Sequence, residues 1–393
     1  MDLNEMRKIV VIHPLDDSYG ATKILSYVIS ILSNYFLIEV WFKNDKKCLE
    51  EFLSKQSSKI ENIKYNKVET IPVVHSKIFT AKGISSLVKD FIKFSFYLFK
   101  NKNNYDFFFI NTYAAGLVSF GCKLFLVKNI VHCHENQKQK FSGRVLAFLI
   151  KKSANQIFCV SNVVKDYVTN GDKNICATVI KNGIPDIFEA SIAQKKINLT
   201  NPKFLIVGRI MPEKGYWFLA DAVKKLINNE NQSILIDAYG DAPPNRPSLL
   251  DDFRHYLKEK NIENNIRLLG FSDCADRQMF NYDVVLVPSV MSDPFPTTVL
   301  EAMRAKCVII TTSHGGAAEI VSNNYNGILI NKDDSDAFAE VLKNICQQKV
   351  DTELLASRAR EFYATNLTKD IFEKNILSHI QTFIKDHIDE KHI

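Results

Sequence analysis

The chain has no Gly-x-Gly anywhere among its 14 glycines, which excludes a dinucleotide-binding fingerprint. It has neither a Walker-type phosphate loop nor a Gly-x-Ser-x-Gly elbow, which excludes P-loop hydrolysis and serine-hydrolase chemistry of the usual kind. Its eight cysteines are scattered without close pairs. Neither a disulfide framework nor a zinc ribbon is indicated, and a reducing cytoplasm is the expected compartment. No run reaches the roughly 18 apolar residues of a membrane span. Even Phe107 to Cys122 is interrupted by Asn, Thr, Tyr and Ser. Met1-Asp2-Leu3-Asn4-Glu5 is acidic and leads straight into a strand, so no secretory leader is expected.

What is present is ordinary for a globular protein: 393 residues, 46% hydrophobic and 24% charged, enough for two domains with their own cores. Short apolar runs alternate with helical patterns. In the first half they fall at Lys8–Ile12, Ile38–Phe42, Asp106–Asn111, Asn129–His132, Ile157–Val160 and Ala177–Ile180. In the second half they fall at Phe204–Val207, Ile234–Ala238, Ile266–Leu269, Asp283–Val287 and Val308–Thr311. Such alternation predicts parallel sheets with helices on both faces. The polar, weakly periodic stretch 186–202 reads as a linker between the halves. Asp334-Ser335-Asp336 precedes a helical pattern and reads as its cap.

Two segments carry chemistry. In Asp293-Pro-Phe-Pro-Thr-Thr-Val-Leu-Glu301, Asp293 follows a strand and Glu301 lies in the second turn of the next helix. Pro294 and Pro296 delay that helix, so the backbone N–H groups of Thr297 and Thr298 face outward at the positive end of its dipole. Such groups suit a phosphate, and a carboxylate one turn further in suits a ribose diol. In Phe204-Leu-Ile-Val-Gly208-Arg209-Ile-Met-Pro-Glu213-Lys214, a strand turns at Gly208 and brings two cations to the same sheet edge. Arg209 by its fork and Lys214 as a point charge can neutralise a leaving pyrophosphate.

Together these segments resemble the retaining glycosyltransferases of family 4, which have the GT-B fold: a strand, then Gly-Arg and a nearby Lys, then two acids with seven residues between them. The resemblance covers about Phe204 to Leu329. Asp293 stands where the family usually has Glu, and Pro296 where it usually has Gly. The resemblance implies two Rossmann-like domains facing across a cleft. These are an acceptor-side domain over 1–185, a nucleotide-sugar domain over 203–365 and a C-terminal helix in 366–393 that crosses back. It implies catalytic or donor contacts at His134, Asp293, Arg209 and Lys214. Gly20, Gly240, Thr297, Thr298 and Glu301 are implied nucleotide contacts. It also implies no metal and no cofactor beyond the donor, a nucleotide-diphosphate sugar. His132 and His134 share one strand face, but no third metal ligand accompanies them.

Between Lys43 and Asn104 there are thirteen lysines, no arginine and six acids. Lacking arginine and interleaved aromatics, the region does not read as a nucleic-acid groove. An anionic membrane fits it better. The helical pattern over 84–100, with Ile84, Leu87, Val88, Phe91 and Leu98 on one face, is either core or bilayer interface. The resemblance, together with this basic and apolar first half, implies sugar transfer to a saccharide or lipid-linked saccharide of a bacterial surface polysaccharide (lipopolysaccharide, O-antigen or capsule). It would take place in the cytoplasm or at the inner membrane face. A GT-B nucleotide-sugar epimerase, or a basic binding module without turnover, are the alternatives.

Overall fold

The computed structural model describes residues 6–16, 20–56, 59–74, 80–135, 141–188, 190–230 and 234–389. The chain forms two units, one of residues 1–182 with 369–393 and one of residues 183–368.

In the first unit seven strands run β1 (Lys8–His13), β2 (Leu37–Phe42), β3 (Ile63–Lys67), β4 (Phe107–Ile110), β5 (Asn129–Cys133), β6 (Gln156–Cys159) and β7 (Ala177–Val179). They pair in parallel in the order β3-β2-β1-β4-β5-β6-β7. The connecting helices are α1 (Gly20–Leu32), α2 (Lys47–Ser54), α3 (Ala81–Asn101), α4 (Gly116–Leu124), α5 (Phe141–Ser153) and α6 (Asn162–Thr169). β4 is a continuous apolar run, and β1 and β5 are buried along nearly their whole length, because both faces of these strands are covered. β3 has the sequence IKYNK and a single fully buried residue. As an edge strand it shows no apolar run to betray it.

The second unit pairs β8 (Phe204–Val207), β9 (Ile236–Tyr239), β10 (Ile266–Gly270), β11 (Val284–Val287), β12 (Val308–Thr312) and β13 (Ile328–Ile330) in the order β10-β9-β8-β11-β12-β13. All of these pairings are parallel. Around them lie α7 (Tyr216–Glu230), α8 (Leu249–Glu259), α9 (Ala275–Gln278), α10 (Thr297–Arg304), α11 (Ser335–Cys346) and α12 (Thr352–Asn366). Asp334 caps α11 by accepting from the N–H of Ala337 at 2.8 Å. The last helix, α13 (Lys369–His387), belongs to the first unit. Its Phe383 packs edge-on to Phe107 of β4 at 5.4 Å, and Lys369 donates to Ser30 of α1.

The stretch 186–202, expected as a linker, is part of the second unit. Ile192 and Ile197 are buried, and the Lys195 ammonium donates to the carbonyls of Tyr282 and Ala305 at 2.8 and 2.6 Å. A lysine in polar sequence reads as solvated, yet here its charge is met by carbonyls far away in the chain. Periodicity cannot register such partners.

Gly215 fixes where the loop after β8 can lie. It has φ +81°, and a Cβ there would sit 1.8 Å from the Pro288 carbonyl just beyond β11. We expect Gly215→Ala to cost about 1–3 kcal/mol, from left-handed strain together with overpacking. Urea unfolding measures it, and an unchanged midpoint would show that the two loops are not in this contact.

Candidate functional site

In the second unit the strand order reverses between β8 and β11, which are neighbours whose following helices leave in opposite directions. The crevice beyond the C-terminal ends of two such strands is where open α/β sheets bind ligands. Both chemistry-bearing segments emerge there. After β8, the Gly208 N–H donates to the Tyr239 carbonyl and the Ile210 N–H to the Asp241 carbonyl, at 3.0 and 2.9 Å. Arg209, half-buried, is therefore held between two pinned residues. The turn Pro212–Lys214 follows.

The two loops are tied together. The backbone carbonyl of Glu213 accepts from the N–H groups of Val290 and Met291, at 3.2 and 3.3 Å. The Lys214 ammonium lies 2.6 Å from Oδ2 of Asp293. On the far side, the Gly316 N–H donates to the Asp293 carbonyl at 2.8 Å. Asp293 is thus fixed by side chain and backbone together, with part of both ionic groups still open to solvent.

Pro296 occupies the cap position of α10 and no side chain caps that helix. Its first N–H groups, at Thr297 and Thr298, carry the positive end of the dipole. Glu301 lies three and four residues on from them, so all three share one helix face. Glu301 is buried, although a glutamate in the second turn of a helix is ordinarily solvated. Gly240 plays a packing part: its N–H donates to the Gly270 carbonyl at 2.9 Å, and a Cβ would collide with the Gly208 carbonyl. Arg304, 1% exposed, donates to the Pro185 carbonyl and the Asp276 carboxylate, each at 3.0 Å. It braces the C-terminal end of α10, a role that no sequence spacing announces.

In the first unit the order reverses between β1 and β4. Gly20 opens α1 beyond β1, while Asp17, Ser18 and Tyr19, expected with it in a phosphate loop, lie outside the described residues. Beside β4, Nε2 of His134 lies 3.1 Å from Asn111 Oδ1 and 3.1 Å from His132 Nδ1. Both of these contacts run through one ring nitrogen of His134, Nε2. Burial lowers the His134 pKa to about 4 and holds that of His132 well below the ordinary value, and the neighbouring His134 depresses the latter further. Glu135, which the sequence reading passed over, has its pKa raised by burial. It accepts from the Thr112 hydroxyl and from the N–H groups of Tyr113 and His134. Among the described residues no group of three His, Cys, Asp or Glu side chains could hold a metal ion.

The two histidines make a pH prediction. An unfolded imidazole takes a proton near pH 6.5, whereas folded His134 does not until about pH 4. Its contribution to stability is therefore complete above about 6.5 and is lost as pH falls toward about 4. We expect urea-unfolding free energies to drop between pH 7 and pH 5, and to drop by less in His134→Gln. An equal drop in both proteins would show that the ring is not enclosed.

Residues 187–362 match the family described as "Glycosyl transferases group 1". An uncharacterized glycosyltransferase of Methanocaldococcus jannaschii is 29% identical over 246 residues, covering 58% of this chain and 58% of that protein. The chain thus spans less than two thirds of this relative's length. The UDP-Gal:alpha-D-GlcNAc-diphosphoundecaprenol alpha-1,3-galactosyltransferase of Escherichia coli is 26% identical, covering 71% of this chain and 75% of that one. Among solved structures, Anabaena HepE in complex with UDP and glucose superposes with a TM-score of 0.75 at 19% identity, over 95% of this chain and 99% of that one. The chain is related in sequence to glycosyltransferases and has the fold of the GT-B glycosyltransferases.

Proposed function

We propose that the chain is a glycosyltransferase that moves a sugar from a nucleotide-diphosphate donor, with retention, to a saccharide or lipid-linked saccharide acceptor. We assign it to bacterial surface-polysaccharide synthesis at the cytoplasmic face of the membrane. The observation that carries the reading is the switch-point crevice of the second unit. The loop that carries Arg209 and Lys214, an uncapped helix start and a buried glutamate all lie there. That set matches a nucleoside diphosphate group by group.

In this reading Glu301 accepts from the ribose hydroxyls, while the N–H groups of Thr297 and Thr298 and the cations Arg209 and Lys214 receive the diphosphate. As the bond from the anomeric carbon to the diphosphate oxygen breaks, its electron pair goes to that oxygen, and the preorganised donors stabilise the growing charge. The acceptor hydroxyl forms the new bond from the same face and passes its proton to the departing diphosphate. No protein nucleophile and no metal are needed. Asp293, held by Lys214, is assigned to orient sugar hydroxyls. His134 and Gly20 are assigned to the donor sugar and its phosphate, and Gly240 to support of the phosphate loop.

The relative from Escherichia coli names UDP-Gal as donor and a diphosphoundecaprenol-linked sugar as acceptor, which supports a uridine nucleotide and a lipid-linked acceptor here. The test is a thermal-shift panel with UDP, GDP, dTDP and ADP, each with and without a chelator. A ligand at about 100 times its Kd adds roughly 2.7 kcal/mol and moves Tm by a few degrees. We expect UDP alone to do so, with or without chelator. No response to any of the four would overturn the assignment.

A further inference from the structure

The outer surface of the first unit's α3–α4–α5 layer is apolar where a soluble domain is normally polar. α3 is two-faced: Phe94 and Leu98 are buried, with Phe94 edge-on to Trp41 of β2 at 6.3 Å. Its other face repeats Ile84, Val88, Ile92 and Phe96 at four-residue spacing, then Phe99, all exposed and Phe96 by 73%. α3 is therefore packed on one side and open on the other.

The stripe does not stop at α3. Phe99 touches Phe125 at 5.5 Å, just past the end of α4, and Phe91 stacks on Phe120 of α4 at 6.0 Å. Beside Phe125, Leu124 and Leu126 are exposed, Leu126 by 83%. Leu126 also has φ +59°, a left-handed turn position that glycine or asparagine would take at lower cost. A leucine there, exposed to water, gains nothing from its own fold. α4 packs on α5 through Gly116, whose Cβ position meets Ile150 and Leu146. α5 in turn exposes Phe141, Val145 and Phe148.

Charge around this surface is one-sided. Segments 81–101, 116–128 and 141–153 hold eight lysines and one arginine against a single acid, Asp90. That acid is already bonded to Lys43 at 2.9 Å. The three helices each join one parallel strand to the next, so their C-terminal ends meet at one sheet edge. There the Lys123 ammonium donates to the Lys152 carbonyl, and Lys102 donates to the Phe125 carbonyl with its ammonium 5.3 Å from the Phe99 ring centroid.

We propose that this surface docks on an anionic lipid bilayer. Phe96, Phe99, Leu124 and Leu126 would enter the headgroup boundary while the surrounding lysines meet lipid phosphates. A second copy of the chain is the wrong occupant, because pairing the surface with itself would set its excess of positive charge against an equal one. The proposal deepens the membrane-face reading above and rests on it for its biological sense, though not for its geometry.

The test is co-sedimentation of the full chain with vesicles of phosphatidylcholine alone and of phosphatidylcholine mixed with phosphatidylglycerol. Recovery with the mixed vesicles is expected to exceed that with neutral ones about tenfold, and to fall steeply with added salt. Phe96→Glu with Leu126→Glu, both at exposed positions, should leave the protein in the supernatant with an unchanged melting temperature. Lys123→Glu with Lys152→Glu should erase the preference for anionic lipid. Equal recovery on both vesicles, or a concentration-dependent dimer that Phe96→Glu abolishes, would overturn the proposal. UDP binding is read separately. Vesicle capture without UDP binding defeats the transferase reading and leaves the docking surface standing, and the reverse result defeats the docking surface alone.

Discussion

Lys214→Ala is expected to lower kcat by about 10²–10³-fold, with the protein still folded. The ammonium is the charge nearest to Asp293 and sits at the mouth of the crevice between β8 and β11. Its removal costs little stability, because a partly exposed ion pair contributes only about 0–1 kcal/mol. In the proposed reaction its contribution is electrostatic. A diphosphate gains charge as the glycosidic bond breaks, and a fixed cation lowers the barrier most where that charge develops. Lys214→Arg tests placement as well as charge, since the longer planar fork cannot take the same position against Asp293. Single-turnover rates with the donor identified by thermal shift measure both variants. A kcat within threefold of wild type in Lys214→Ala would remove Lys214 from the chemistry.

Glu301→Ala should raise the Kd for the nucleoside diphosphate about 10–100-fold, the loss of roughly 1.5–3 kcal/mol attached to charged hydrogen bonds. The carboxylate is buried on the same face of α10 as Thr297 and Thr298. A ribose held there would be aligned with a phosphate at the helix start. Glu301→Gln keeps shape and one acceptor oxygen and should lie between the two. Calorimetric titration reads affinity, and a melting curve without nucleotide reads the fold. Unchanged affinity in Glu301→Ala would sink the ribose assignment. A collapse of the fold in both variants would show that Glu301 is a packing residue.

How far the chain could be read in advance depended on whether each signal was local. β8 and β11 were legible because buried parallel strands are unbroken apolar runs. The place of Glu301 on α10 was legible because the helix start and the carboxylate lie within one short segment. The meeting of Lys214 with Asp293 was not, since 79 residues separate them and only the order β8–β11 in the sheet makes them neighbours. Glu135 was missed for the same reason: two of its donors lie on Thr112 and Tyr113, beyond a different strand. The stretch 186–202 read as a linker because the carbonyls that accept from its Lys195 ammonium lie 87 and 110 residues away. The helix over 84–100 was legible as amphipathic. Which face met the core could be settled only by Trp41 and Phe94, which come from separate elements.

The return of α13 has a topological consequence. The second unit opens at Gly183 and closes at Thr368, with the first unit's residues on either side. At that neck Ile184 pairs with Thr368 as a parallel bridge, and its N–H donates to the Leu367 carbonyl at 3.1 Å. The Tyr363 hydroxyl also donates to the Ile184 carbonyl, at 2.8 Å. The second unit is thus an insert with its two ends stitched together, a loop of chain closed at its base. Such a segment carries its own closure and does not depend on the flanking chain to hold its ends in place. Excised at residues 183 and 368, it has the makings of a free-standing folded module. The first unit, cut at the same points, needs only a short bridge to rejoin Asn182 to α13.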